Sequence, residues 1–287
     1  MIAAANLALN LAPELSEEYR SPHGVVRWTR LGAGPPVVLL HGTPFSSYVW
    51  RDVAARLVAA GHTVYLWDMP GYGRSEMRAG QDVSLAAQQE VFTGLLRLWG
   101  LDSANGRPAV VAHDIGGAVA LRTTLLDGVP YDRLALLDAV ALRPWGSEFF
   151  RLMGSHGEVF ARLPRTQHEA LVRSYVSSGS ARPLAPEVLD AVVGPWLGDL
   201  GQAAFYRQIE QADQRLTAEI EDRYADLDLP VLVGWGTQDQ WLPPAHAHRL
   251  AAAIPSARTE LFEGAGHLVQ EDAPGRLTGV LADFLAG

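Results

Sequence analysis

Three polar side chains, far apart along the chain, have the residue types and the order of a nucleophile, an orienting acid and a base. Asp114 directly follows the apolar run 109–113, Asp239 stands shortly after the run 230–236, and His267 lies in a glycine-containing loop near the C-terminus. An Asp carboxylate, with a pKa of about 3.9, is ionised at neutral pH and can displace a leaving group from saturated carbon. A histidine oriented by a second carboxylate can then activate water.

The elements that must position these residues are visible as alternating strand and helix patterns. Short apolar runs rich in β-branched residues predict strands at 37–41, 63–71, 109–114, 134–140, 230–236 and 259–266. Helical patterns are present at 47–60, 83–99, 117–126, 245–253 and 273–285. Near-continuous apolar strands that alternate with helices predict an α/β fold with a doubly wound, mostly parallel sheet.

The alternation stops once, in a segment that carries no convincing buried strand. Residues 141–222 are rich in Arg, Glu, Gln, Trp and Tyr, with helical spacing in FYRQIEQADQRL. We interpret this segment as a helical cap inserted between two parts of the core, residues 1–140 and 223–287. Ligands of open α/β sheets bind beyond the carboxyl ends of the strands. A cap inserted at such an end is therefore expected to cover the ligand pocket.

The motif AHDIG at 112–116 places Asp114 at a sharp strand-to-helix turn. This is the context of a nucleophile elbow, usually written G-x-S-x-G, in which the apex side chain is exposed above the sheet. The oxyanion site of such an arrangement comes from the residue after the nucleophile and from a loop after an earlier strand. The sequence therefore predicts that the backbone N–H groups of Ile115 and Thr43 form the oxyanion hole.

Two further motifs complete a family resemblance that covers nearly the whole chain. The segment HGTPFSSYVWRD, residues 41–52, is similar to haloalkane dehalogenases in its SSYxWR portion, and DMPGYGRSE, residues 68–76, is similar to epoxide hydrolases in GYGRS. With the order nucleophile, acid, histidine, the chain resembles the α/β-hydrolase superfamily, in the branch that uses aspartate nucleophiles. The resemblance implies an α/β-hydrolase fold and an alkyl ester at Asp114, hydrolysed by water that His267 activates while Asp239 orients the imidazole. It implies no metal and no organic cofactor.

The leaving group is the least determined part of this hypothesis. Haloalkane dehalogenases usually bind halide through Asn or Glu at the position of Thr43 and Trp at that of Ile115, and haloacetate dehalogenases usually carry Arg at the latter. Epoxide hydrolases also usually carry Trp there, but they protonate the leaving alkoxide with cap tyrosines. The candidates here are Tyr175 and Tyr206, with Tyr224 near the end of the cap. We therefore expect an apolar epoxide or a related electrophilic sp3 carbon as the substrate.

Several alternatives stay open at this point. A haloalkane or haloacid dehalogenase could draw its halide donors from the cap, where Trp145 and Trp196 are also candidates to line an apolar substrate pocket. A lyase or cyclase could use the same fold without hydrolysis, and a binding protein could have lost turnover. Asp138, at the end of the strand before the cap, is the alternative orienting acid. His41 and His113 are expected to pack and hydrogen-bond rather than react.

Composition limits the other classes of function. The net charge of −9 and the pI of about 5.4 give no support to nucleic-acid binding, which requires clustered Lys and Arg. The absence of cysteine excludes disulfides, thiolate catalysis and Cys-ligated zinc. Neither a secretory signal nor a membrane-spanning run is recognisable in the sequence. We expect a cytoplasmic monomer or homodimer whose partners are a small apolar substrate and water.

Overall fold

The computed structural model describes residues 13–287. These residues form one eight-stranded sheet in the order β1-β2-β4-β3-β5-β6-β7-β8. The strands are β1 (Glu17–Ser21), β2 (Gly24–Gly32), β3 (Pro36–Leu40), β4 (Thr63–Trp67), β5 (Ala109–His113), β6 (Arg133–Leu137), β7 (Val231–Gly236) and β8 (Ala257–Phe262). All pairs from β4 through β3 to β8 are parallel, whereas β1–β2 and β2–β4 are antiparallel. The predicted mostly parallel sheet is confirmed.

The two antiparallel strands at the edge are the elements that the sequence patterns missed. In β1 most residues are exposed, and in β2 buried and partly exposed residues are mixed. Every residue of the central strand β5 is buried, which explains its continuous apolar run. A search for continuous apolar runs therefore finds the strands that are covered on both faces and misses an edge hairpin that is partly exposed to water.

Helices flank the sheet and follow its strands. They are α1 (Arg51–Ala59), α2 (Leu85–Trp99), α3 (Ile115–Asp127), α4 (Glu148–Ser155), α5 (Gly157–Phe160), α6 (Arg165–Ser177), α7 (Pro186–Val193), α8 (Gly198–Glu210), α9 (Arg215–Glu221), α10 (Ala245–Ala253), α11 (Val269–Asp272) and α12 (Pro274–Ala286). Local chemistry sets their ends: the Ser84 side chain accepts from the Ala87 N–H at the start of α2, and Gly100, with φ +69°, ends it.

The chain between β6 and β7 contains the helices α4 to α9 and no strand. Within this segment α4 packs on α8 and α6 packs on α7, while α9 packs on α3 of the sheet layer. The helical content of the segment agrees with its sequence pattern. Its division from the core at residues 141–222 stays a proposal.

None of the helices described is both long and apolar enough to cross a membrane. The N-terminal residues 1–12, in which the sequence shows no secretory signal, lie outside the described part of the chain.

Candidate active site

Asp114 occupies a sharp turn between the end of β5 and the start of α3. Its backbone has φ +51° and ψ −125°, a combination that non-glycine residues rarely adopt and that costs about 1–3 kcal/mol. Two backbone hydrogen bonds hold the turn, because the Asp114 N–H donates to the Leu137 carbonyl at 3.2 Å and the Val140 N–H donates to the Asp114 carbonyl at 3.0 Å. Neighbouring strands therefore fix the turn that carries the carboxylate.

Glycines make room for this turn. A Cβ atom added at Gly42 would lie 2.3 Å from the Asp114 Cβ and 2.5 Å from its Oδ1. One added at Gly116 would meet the backbone carbonyl oxygen of His41 at 2.5 Å, and one at Gly117 would meet the Ala139 Cβ at 2.6 Å. The glycines of the motifs HGTP and DIGG are thus required by close packing around the Asp114 carboxylate.

Replacing Gly42 with alanine is expected to displace the Asp114 carboxylate. A misplacement of about 1 Å at a reacting group can cost roughly 100-fold in rate, and overpacking destabilises a core by about 1–3 kcal/mol. Enzyme kinetics and denaturant unfolding measure the two effects. Gly279→Ala is the matched control, because a Cβ there meets nothing within 4 Å. If Gly42→Ala behaves like the control, the close approach does not position Asp114.

The Asp114 carboxylate is held on both of its oxygens. Its Oδ1 accepts the Thr43 backbone N–H at 2.7 Å, and its Oδ2 lies 3.4 Å from Nε2 of His267. Burial acts to raise the pKa of Asp114, but the hydrogen bond and the charge of His267, with the Ile115 N–H, outweigh it and leave that pKa below its usual value. The carboxylate is therefore ionised at neutral pH although it is buried.

His267 stands between two carboxylates. Its Nδ1 lies 2.9 Å from Oδ2 of Asp239, whose Oδ1 accepts the backbone N–H groups of Trp241 at 2.7 Å and Leu242 at 2.9 Å. Nε2 of His267 faces Oδ2 of Asp114 at 3.4 Å, which is longer than a normal hydrogen bond, so this contact is the weaker of the two that His267 makes with carboxylates. Burial acts to lower the pKa of His267, but the charges of Asp239 and Asp114 and the hydrogen bonds to them raise it well above its usual value.

Asp138, the alternative acid, makes no hydrogen bond with His267 in the part of the chain described. Its Oδ1 accepts the Gly236 N–H at 2.8 Å, and its Oδ2 is buried without a partner. Burial, and then the nearby charge of Asp239, raise the pKa of Asp138 well above its usual value. The acid that hydrogen-bonds the imidazole is Asp239, and the Asp138 carboxyl is held neutral beside it.

Asp138, Asp239 and His267 also form a group with metal-ligand chemistry. One ligand atom of each lies within 4.8 Å of the others. The Asp239–His267 hydrogen bond and the buried position of Asp138 account for this proximity without an ion. Both oxygens of Asp239 and the Nδ1 of His267 are already used in hydrogen bonds.

A pH experiment checks the neutral state of Asp138. Because its pKa is raised on folding, the folded state keeps this proton to a higher pH than the unfolded state does. Its contribution to stability is therefore complete below the unfolded pKa of about 3.9 and is lost as pH rises towards the folded pKa. The unfolding free energy of Asp138→Asn, measured against that of the unchanged protein by denaturant titration, is expected to rise across this window. A difference that stays constant with pH contradicts the raised pKa.

The histidines that flank the motifs are structural by their contacts. Nε2 of His113 lies 2.9 Å from the His267 carbonyl oxygen, and burial lowers the pKa of His113 to about 3. His41 bridges two backbone groups, since its Nδ1 lies 2.9 Å from the Gly42 carbonyl oxygen and its Nε2 accepts the Met69 N–H at 2.9 Å. These bonds fix the loops on either side of Asp114.

A small cavity, hereafter the inner cavity, lies against the carboxylate. Its volume of about 20 Å³ is enough for a single water molecule. It is lined by Thr43, Asp114, Ile115, Val140, Trp145, Gly146, Ser147, Phe150, Tyr175, Trp241 and Leu242. Most of these side chains are apolar, so the surroundings of Asp114 favour an apolar ligand.

Of the three tyrosines that the sequence offered as proton donors, Tyr175 is the one that lines the inner cavity. The Tyr206 hydroxyl lies 2.9 Å from Nδ1 of His168, and the Tyr224 hydroxyl donates to the Ala141 carbonyl at 2.6 Å. Neither Tyr206 nor Tyr224 lines the inner cavity, so of these three tyrosines Tyr175 is the one that shares a cavity with Asp114.

The two tryptophans that were candidate halide donors use their indole N–H groups in hydrogen bonds to other parts of the protein. The indole N–H of Trp145 donates to Oγ1 of Thr217 at 2.9 Å, although the ring itself lines the inner cavity. The indole N–H of Trp196 donates to the Pro44 carbonyl at 2.7 Å, and the ring is not among the lining residues. Trp196 packs against the Tyr72 ring, and a place for it in the substrate pocket stays a prediction.

The chain matches known proteins over most of its length. A model of the alpha/beta hydrolase family matches residues 37–279. The chain belongs to this family. It is 31% identical over 284 residues to an uncharacterised protein of Mycobacterium bovis, covering 93% of this chain and 80% of that one. The α/β-hydrolase fold predicted from the sequence is thus confirmed, together with a hydrolase activity at the level of the family.

Solved structures agree with this assignment. An alpha/beta hydrolase fold protein from Burkholderia ambifaria is 43% identical, with a TM-score of 0.90 over 95% of this chain and 98% of that one. A variant of a haloalkane dehalogenase from Agrobacterium tumefaciens has a TM-score of 0.81 at 21% identity, over 94% and 96% of the two chains. A likeness as distant as the second shows the fold alone.

This α/β hydrolase has site residues that its sequence patterns did not reveal. Gln208, on α8, accepts hydrogen bonds from the hydroxyls of Thr43 and Tyr72, so it joins the helical segment to the oxyanion loop. Trp241, in the loop after β7, lines the inner cavity. A lone Gln or an aromatic residue in a helical pattern carries no signal of such contacts, because they depend on how distant segments pack.

Proposed function

We propose that this α/β hydrolase opens an apolar epoxide, or attacks a related electrophilic sp3 carbon, through an ester at Asp114. The observation that carries the proposal is the position of the Asp114 carboxylate beside an apolar cavity. Thr43 holds one oxygen by its N–H at 2.7 Å, His267 lies 3.4 Å from the other, and Tyr175 lines the same cavity. A nucleophile, an oxyanion donor and a candidate acid thus line one cavity, and the candidate base lies against the nucleophile.

The first step is alkylation of the carboxylate. Oδ2 of Asp114 attacks a ring carbon of the epoxide, the C–O bond breaks, and its electron pair stays on the epoxide oxygen. The Tyr175 hydroxyl gives that oxygen a proton. Burial, with the charges of Asp114 and Asp239, raises the pKa of Tyr175 well above its usual value, so the phenol is protonated before the reaction. The product of this step is a hydroxyalkyl ester of Asp114.

The second step is hydrolysis of that ester. His267 takes a proton from water, whose oxygen attacks the ester carbonyl carbon, and the charge develops on Oδ1 facing the N–H groups of Thr43 and Ile115. Collapse releases the diol oxygen, which takes the proton back from His267. The carboxylic acid formed at Asp114 then loses its proton, which restores the phenol of Tyr175.

Ester formation itself makes His267 available as a base. The negative charge of Asp114 contributes to the raised pKa of His267 in the free enzyme. Alkylation removes that charge, so the pKa of His267 falls, the imidazolium releases its proton to solvent, and a neutral imidazole is present for hydrolysis. His267 regains a proton from solvent when the Asp114 carboxylate is restored. Asp239 keeps the imidazole oriented throughout, through its bond to Nδ1.

The donors around the inner cavity favour an epoxide over a halide. A departing halide needs N–H donors, but the indole N–H groups of both lining tryptophans, Trp145 and Trp241, donate to other protein groups. Ile115 adds an apolar side chain in place of a donor. A phenol, which can transfer a proton to an alkoxide, is present as Tyr175.

A single-turnover reaction in heavy-oxygen water, with enzyme in excess over an aryl or alkyl epoxide, tests the covalent mechanism. The water oxygen is expected in the peptide that contains Asp114, because water attacks the carboxyl carbon and the diol keeps an original carboxyl oxygen. Peptide and product masses measure the distribution. Heavy oxygen found in the diol and not in the peptide contradicts the ester mechanism. A product that has gained no oxygen atom at all, light or heavy, indicates a lyase or cyclase.

A diol assay beside a halide-release assay then separates the two hydrolytic alternatives. We expect turnover of epoxides and none of matched haloalkanes. Halide release with no diol formation assigns the dehalogenase activity instead.

Replacing Tyr175 with phenylalanine is expected to slow alkylation by about 100-fold or more, the usual contribution of a positioned general acid. Hydrolysis of a preformed ester is expected to change little, since Tyr175 takes a proton only after the ester bond has been broken. Rapid-quench measurement of ester formation and decay distinguishes the two rates. Tyr206→Phe is the control, because its hydroxyl bonds to His168. If the rate of ester formation falls equally in Tyr175→Phe and Tyr206→Phe, Tyr175 is not the general acid.

A further inference from the structure

The inner cavity has a larger neighbour. An outer cavity of about 310 Å³ is lined partly by the solvent-exposed residues Ser174, Ser178 and Gln240. Tyr175 and Trp241, together with Ser147, line both cavities. The two rings therefore stand between the cavity beside Asp114 and the outer cavity, and we call this ring pair the partition.

The partition is an aromatic stack between two separate segments of the chain. The rings of Tyr175, on α6, and Trp241, in the loop after β7, are stacked with centroids 4.3 Å apart and an interplanar angle of 6°. The Trp241 indole N–H donates to Oγ of Ser178 at 2.9 Å, and on its other side the ring stacks on Phe45 at 5.8 Å. Trp241 is thus held by a hydrogen bond and by two ring contacts.

The two cavities differ greatly in volume. Binding sites for small organic molecules measure about 300–1,000 Å³, whereas the inner cavity of about 20 Å³ accommodates one water molecule. With Tyr175 stacked on Trp241, the space beside Asp114 is therefore far smaller than a small-molecule site. The outer cavity, at about 310 Å³, is in the range of a small-molecule site.

We infer that substrates reach Asp114 through the outer cavity by parting the Tyr175–Trp241 stack, and that this pair selects which molecules enter. Phe149 and Leu171 supply apolar walls of the outer cavity, and the exposed serines and Gln240 supply hydrogen-bonding groups at its mouth. The substrate class this favours is an apolar chain or flat ring at the reacting end, with a polar group at the remote end.

The absence of cysteine from the chain allows a test that does not depend on catalysis. Val140 lines the inner cavity and is 2% exposed, so Val140→Cys places a thiol of similar size behind the partition. Its rate of alkylation by iodoacetamide reports access to the inner cavity. Ser174→Cys, at the outer cavity, is the freely accessible reference.

Two changes at the proposed route are combined with Val140→Cys. Trp241→Ala removes one ring of the stack and is expected to speed labelling roughly two- to tenfold. This factor corresponds to the free energy that one aromatic pair contributes. Ser174→Trp fills the outer cavity and is expected to slow labelling. Gln167→Trp, at an exposed position of the same helix that does not line the cavity, is the control and is expected to leave the rate unchanged.

The proposal is overturned if Trp241→Ala fails to speed labelling in a folded protein, or if Ser174→Trp and Gln167→Trp behave alike. Circular dichroism establishes folding, and Ser174→Trp carries the test if Trp241→Ala does not fold. The choice of substrate rests on the proposed function, but thiol labelling does not. If the substitutions do not change labelling while heavy oxygen still appears in the Asp114 peptide, the proposed route fails and the ester mechanism stands. If labelling changes as expected but heavy oxygen is absent from that peptide, the route stands and the ester mechanism fails.

Discussion

Replacing His267 with glutamine is expected to stop the reaction at the Asp114 ester. Alkylation needs only the carboxylate and the acid, whereas hydrolysis needs the imidazole to take a proton from water. Loss of a catalytic histidine or its orienting acid typically costs about 10,000-fold or more in rate. Because an epoxide loses no atoms when it opens, intact mass spectrometry is expected to show the protein heavier by one whole substrate molecule, with the addition on the peptide that contains Asp114.

Two further variants make this result specific. Asp114→Asn should neither turn over nor gain mass, because a neutral amide is a poor nucleophile at saturated carbon. His248→Gln, at an exposed position on α10, should behave like the unchanged protein. Full turnover by His267→Gln, or an adduct that persists in Asp114→Asn, is incompatible with the ester mechanism.

The second large effect is expected from the acid that orients His267. Asp239 accepts a hydrogen bond from Nδ1 at 2.9 Å, so Asp239→Asn should favour the wrong tautomer and lower the hydrolysis rate by about 10,000-fold. Asp138→Asn replaces a neutral carboxyl by a neutral amide that can still accept from Gly236, and its activity should stay within about tenfold of the original, the range of a single lost hydrogen bond.

Single-turnover kinetics that follow ester decay compare the two variants directly. The expected result is a stalled ester in Asp239→Asn and continued decay in Asp138→Asn. If ester decay stalls only in Asp138→Asn, the orienting role passes to Asp138 and the hydrogen bond of Asp239 is structural.

Much of this arrangement could be predicted without coordinates, for physical reasons that are local. The run 109–113 is continuously apolar because β5 is buried on both faces, and DIGG follows it because the turn at Asp114 leaves no space for side chains. A residue placed at the carboxyl end of a central strand has to emerge near the ends of its neighbours. Their positions after the carboxyl ends of strands were therefore enough to predict that Asp114, Asp239 and His267 lie close together.

The errors have an equally physical origin. The edge strands β1 and β2 were missed because partly exposed strands lack a continuous apolar run. Trp196 was a candidate for the pocket because it is large and apolar, and its sequence pattern could not show that its N–H donates to Pro44 or that its ring packs against Tyr72. Side chains of the same type in one helical segment have the same pattern in sequence, whichever way they face.

The sequence by itself determined which candidate catalytic residues occur and in which order along the chain: a carboxylate at a strand-to-helix turn, a later acid and a late histidine. Short-range rules set these features, because turn geometry and strand burial restrict residue types within a few positions. Only the tertiary structure decided that Asp239 bonds His267, that Tyr175 faces Asp114, and that Trp241 stacks on Tyr175. Those contacts join segments far apart in the chain, so they depend on the packing of the helical segment against the sheet, which no local pattern encodes.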